Sequence, residues 1–141
     1  MRYEEYLNKY GSLTYRFRGV SMLPLLRQGR DLIIVKSRDG GYNKGDVVMY
    51  RRGPKRHVLH RIIGMRPDGY IIMGDNCTAK EYGIKDEDIL GVMTGFIRDG
   101  KEYHVSDMPY RAYTCLWLHT IPLRVFLKKT KSFLGKMKSI L

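Results

Sequence analysis

Ser21 and His60 are the residues of this chain whose types and surroundings suit nucleophilic chemistry. Ser21 lies in Gly19-Val20-Ser21-Met22-Leu23-Pro24, where a glycine permits a sharp turn and a proline stiffens the chain beyond it. A serine hydroxyl attacks a carbonyl only when a base takes its proton. His60 stands 39 positions later, in His57-Val58-Leu59-His60-Arg61-Ile62. An imidazole performs general-base work near neutral pH. Strand alternation places Val58, His60 and Ile62 on one face and Leu59 and Arg61 on the other, so His57 points away from His60. A carboxylate that holds the imidazole tautomer has two sources, Asp75 in Gly74-Asp75-Asn76 and Glu81 six positions on. Either could serve, and a turn aspartate capping its own backbone has the same appearance as Asp75. Backbone N–H groups at the serine turn, those of Ser21 and Val20, would hold an oxyanion. Singly, Ser21 reads as an ordinary turn serine and His60 as a structural histidine. The pair points to acyl transfer. Cys77 has no histidine close in sequence and reads as a small loop side chain.

These residues need a frame of short strands. Tyr3, Tyr6, Leu7 and Tyr10 are spaced as on a helix, which Gly11 stops. Strands are expected over 13–18, 32–35, 47–50, 58–63, 70–73 and 89–97, with turn residues between them. Residues 19–29 read as a turn, one helical turn and another turn. Residues 51–56 (RRGPKR) form a basic hairpin connection, and 74–88 read as mostly loop. Asp99-Gly100 is a hairpin signal. The pattern implies a mainly β fold and disfavours a doubly wound α/β architecture, which needs long covering helices.

At 141 residues, with 43% hydrophobic residues, the chain is expected to form one main domain over 1–107. A basic amphipathic helical tail follows over 108–141, with seven Lys or Arg and no Asp or Glu. Pro122 should kink or divide that helix. The net charge of +12 attracts nucleic acid, anionic lipid and acidic protein alike. Arg51, Arg52, Lys55 and Arg56 would meet phosphates, but no regular aromatic stacking platform accompanies them, so nucleic acid is a weak expectation. Peripheral contact of the tail with an anionic membrane or a membrane partner is the stronger one. No run of apolar residues is long enough to span a bilayer, and residues 1–5 lack the apolar core of a signal peptide. Cysteine usage fits a reducing compartment. The expected location is the cytoplasm, peripheral to the inner face of the membrane. No dinucleotide, phosphate-loop or metal-ligand pattern is present, so neither cofactor nor metal is expected.

Read in order, GVSMLP, GRDLIIV, KGDVVMY, HVLHRIIG, YIIMGDN and ILGVM resemble successive segments of one family. It joins type I signal peptidases to the self-cleaving phage and SOS repressor peptidases. The resemblance covers about residues 13–97 and implies a compact coiled β-sheet, or partial barrel. It puts the family's serine nucleophile on Ser21. Its general base falls on His60, as in the histidine branch found in endoplasmic-reticulum and archaeal signal peptidases, whereas other members use lysine. Asp75 matches the family's loop aspartate and is weighted slightly above Glu81, on which the carboxylate of the histidine branch falls by spacing. The polar residues before Ser21 depart from the membrane anchor usual in signal peptidases. They also cannot form the helix-turn-helix of a repressor.

The resemblance implies a serine endopeptidase that hydrolyses a bond of an extended polypeptide through an acyl-enzyme, with small residues before the cleaved bond. Two alternatives belong to other classes: a catalytically degenerate scaffold of the same fold, and a basic nucleic-acid-binding module.

Overall fold

The structure, a computed structural model, describes residues 2–140. Helix α1 spans Tyr3–Tyr10 and ends at Gly11, whose φ of 74° is the left-handed conformation that glycine adopts most readily. Eight strands follow: β1 Ser12–Arg16, β2 Asp31–Lys36, β3 Val47–Arg51, β4 His57–Arg66, β5 Gly69–Met73, β6 Glu81–Ile84, β7 Ile89–Arg98 and β8 Lys101–His104. All pair antiparallel, in the order β1-β2-β7-β3-β4-β5-β6, with β8 also on β7. The fold is thus mainly β, as expected. A 3₁₀ turn covers Asp86–Asp88, and two helices close the chain, α2 Met108–His119 and α3 Ile121–Ile140.

Strand β2 alternates: Asp31, Ile33 and Val35 are buried and their neighbours are not. Strand β3 differs, with Val47, Val48, Met49 and Tyr50 all buried, because both of its faces are covered. One apolar cluster joins Val47, Met49 and Leu59 to Leu7, Met22 and Leu26. The other joins Val48, Tyr50 and Ile62 to Ile72, Ile89 and Val92. The serine segment is therefore fastened through its neighbour Met22, which is fully buried.

Two expectations need refinement. The segment 74–88 is not mostly loop, because Glu81–Ile84 pairs with β5 as an edge strand. Four residues carry too little alternation to register as a strand in sequence. The C-terminal helix does divide where Pro122 predicts, with α2 ending at His119 and Pro122 in the first turn of α3. Its first half is joined to the sheet. Arg61 on β4 donates to Thr114 Oγ1 at 3.1 Å, and Tyr113 on α2 donates to Asp75 at 2.9 Å.

Candidate active site

Strand β4 carries His60 and Arg61 side by side, and the pleat sends them to opposite faces. Both are buried, at 6% and 1% exposure. Opposite His60 across the β3–β4 pair is Val48, which puts Tyr50 on the same face, diagonal to the imidazole. Tyr50 Oη lies 3.2 Å from His60 Nδ1 and donates to Glu81 Oε1 at 2.7 Å. Arg52 Nη2 donates to Tyr50 Oη at 3.0 Å and pairs with Glu81. Since the tyrosine proton goes to Glu81, its oxygen accepts from Nδ1–H. The lone pair of the imidazole is then on Nε2.

Nε2 faces Gly74. A Cβ built on Gly74 would lie 3.0 Å from His60 Nε2, 2.7 Å from the Ser21 carbonyl oxygen and 2.7 Å from Cys77 Sγ. The serine segment, the imidazole and the 74–77 turn therefore converge on a point where no side chain fits. The turn is also tied directly to the serine. Asn76 N–H donates to Ser21 O at 2.8 Å, and Asn76 Nδ2 donates to Val20 O at 3.0 Å. Gly74→Ala is expected to cost about 1–3 kcal/mol through overpacking. Its thermal unfolding midpoint, set against wild type, checks this.

Ser21, His60 and Glu81 line one cleft of about 1020 Å³. No hydrogen bond joins Ser21 Oγ to the imidazole among the described residues. Catalytic hydrogen bonds of this kind are commonly long without substrate and tighten in the substrate complex. The cleft also receives Arg16, Arg18, Arg52 and Arg56, with Glu81 the single lining carboxylate among the described residues. His57 is half-buried and approaches Glu4 at 3.6 Å. Cys77 sits at the site, its sulfur 3.9 Å from Ser21 O.

Asp75 is placed differently from the sequence preference. Both of its carboxylate oxygens are held by Arg61, at 2.8 and 2.9 Å, and Oδ2 also accepts from Tyr113. The side of His60 that needs a partner, Nδ1, reaches Glu81 through Tyr50. Between the two carboxylates, the hydrogen bonds connect Glu81 to the imidazole, while Asp75 fixes the turn. Asp75 acts on His60 only through its charge.

Burial drives the His60 pKa down, the Arg52 charge pushes the same way, and Asp75 partly opposes them. The result is a histidine pushed down to about 4 and neutral at physiological pH. Burial raises the Tyr50 hydroxyl to about 12, so it remains protonated and able to donate to Glu81.

Sequence reasoning missed Tyr50, Arg52 and Gly74 as members of this arrangement. Only the first two leave a trace, since a Tyr-x-Arg at a strand end opposite a His-bearing strand follows once the β3–β4 register is known.

No protein-family model, curated protein or solved structure matches this chain. Among the described residues, no cluster of three His, Cys, Asp or Glu is placed to hold a metal ion.

Proposed function

We propose that the chain is a serine endopeptidase built on the signal-peptidase type of coiled β-sheet, with Ser21 as nucleophile and His60 as general base. The observation that carries this reading is the convergence of the Ser21 backbone and His60 Nε2 on Gly74, in a cleft large enough for a peptide. Nε2 takes the Ser21 proton as Oγ attacks the peptide carbonyl. The positive charge formed on the imidazole stays there, stabilised by Tyr50 Oη, which accepts from Nδ1–H, and by the Glu81 carboxylate beyond it. The N–H groups at the serine turn hold the oxyanion. Nε2–H then protonates the leaving amine, and water releases the acyl group from Ser21. An extended substrate would pair with backbone along the cleft. Four arginines against one already paired carboxylate favour peptides with Asp or Glu near the cleaved bond.

The test combines a serine-directed acylating or phosphonylating probe with a peptide-library cleavage assay. The expected result is an adduct on Ser21, absent in Ser21→Ala, and cleavage products enriched in acidic residues beside the new ends. A folded protein that forms no adduct and cleaves no peptide would instead be a binding scaffold of the same architecture.

A further inference from the structure

We propose that α3 is an interfacial anchor, which lays its apolar face into an anionic lipid bilayer while Arg124 and Lys128 in its first two turns grip the β domain. The proposal is independent of the peptidase reading. The helix has 20 residues, about 30 Å at 1.5 Å per residue. Leu123, Phe126, Leu127, Phe133, Leu134 and Met137 recur at helical intervals and form one stripe. Burying such a stripe is the usual reason for an amphipathic pattern, yet here it is open: Phe126 is 65% exposed, Phe133 59% and Leu134 54%.

The opposite side of the helix is tied down in its first two turns. Arg124 donates to the Asp75 carbonyl at 3.1 Å and to the Trp117 carbonyl at 2.6 Å. Lys128 bonds the Asn76 carbonyl and side chain. At 100° per residue, Arg124 and Lys128 lie on the far side of the helix from Phe126, Phe133 and Met137. The domain therefore holds the polar side of the first two turns, and from Phe126 to Ile140 every residue is exposed, so the apolar stripe is left open.

The charges select the occupant. Lys131 and Lys138 border the stripe on one edge, and Lys129 and Lys136 on the other. No Asp or Glu occurs between Met108 and Ile140. Apolar side chains between two rows of lysine match acyl chains beneath anionic headgroups. A second copy of the helix would bring lysine rows against each other, which disfavours self-association. No helix among the described residues is long and apolar enough to cross a membrane, so the fit is to a helix lying in the interface.

The test is flotation of the full chain with vesicles of phosphatidylcholine alone and of phosphatidylcholine mixed with phosphatidylglycerol. Binding is expected to the mixed vesicles and to weaken steeply with added salt. The exposed triple variant Phe126→Ser/Phe133→Ser/Leu134→Ser should lower that binding at least about tenfold. Lys129→Gln/Lys136→Gln should lower it about fivefold for each lysine removed. Thermal melts of both variants verify that the fold is retained. Failure of the wild type to bind anionic vesicles overturns the proposal, as does equal binding by the triple variant. Lipid-free oligomers that the triple variant abolishes would assign the stripe to a second copy instead.

Discussion

Replacing His60 with alanine is expected to lower kcat/KM for peptide cleavage by about 10⁴-fold or more, as loss of the base does in enzymes whose nucleophile and base act as a unit. Ser21→Ala should give a loss of the same order, and the double variant little more. Tyr50→Phe is the finer probe. It keeps the ring but removes the hydroxyl between His60 and Glu81, so kcat should fall with KM unchanged. The pH profile adds a signature that a structural histidine would not give. In the proposed mechanism neutral His60 is the active form, and its folded pKa is about 4 instead of the ordinary 6.5. Activity should therefore hold on acidification past pH 6.5 and decline only as pH falls toward about 4. An acidic limb near 6.5 would show that His60 is not the base, or is not buried as described. Stability follows the same shift. Between these pH values the unfolded chain takes up the proton first, so stability falls with pH. About 3 kcal/mol present above pH 6.5 is lost by about pH 4.

Arg61→Ala is expected to lower the unfolding free energy by about 3–5 kcal/mol, the usual result of removing one partner from a buried ion pair. For a chain of this size that is a fall of about 10–15 °C in melting temperature. Arg61 and Asp75 are 1% and 3% exposed and bond through the Nε–Nη2 edge of the guanidinium, one nitrogen to each carboxylate oxygen. Arg61 also donates to Gly45 O at 2.8 Å and to Thr114. Its loss would leave a buried carboxylate with Tyr113 as its one remaining side-chain donor. Arg61→Lys should recover little, because an ammonium cannot satisfy two carboxylate oxygens and a carbonyl in that planar arrangement. Arg61→Met/Asp75→Leu should recover most of the stability, since no charge is then left unpaired. Denaturant titration measures all three. A change of less than about 1 kcal/mol for Arg61→Ala would mean that the pair is solvated.

The strands were legible in the sequence because glycine, proline and aspartate punctuate short apolar runs, as Lys44-Gly45-Asp46 does before β3. The Ser21 and His60 motifs were legible for the same local reason. The misplaced preference for Asp75 came from a non-local effect. Alternation correctly sent Arg61 to the face opposite His60. Nothing near it in sequence shows that this face is covered by Tyr110, Tyr113 and Thr114, about 50 residues away. An arginine there reads as solvated, so the aspartate beside it remained open to pair with the histidine. Glu81 was underweighted because its strand is short and lies at the sheet edge. The link through Tyr50 depends on strand register, which periodicity alone does not fix.

The hold that α2 and α3 keep on the 74–77 turn orders events during synthesis. Ser21 and His60 leave the ribosome well before Tyr113, Trp117, Arg124 and Lys128, which brace the turn between them. The 21 residues from Met108 to Lys128 take about 1–4 s to translate. During that interval the nascent chain carries Ser21 and His60 on a sheet whose Asp75 lacks Tyr113 and Trp117. A brace translated later than the residues it steadies leaves the 74–77 turn to be fixed only after the helices have emerged.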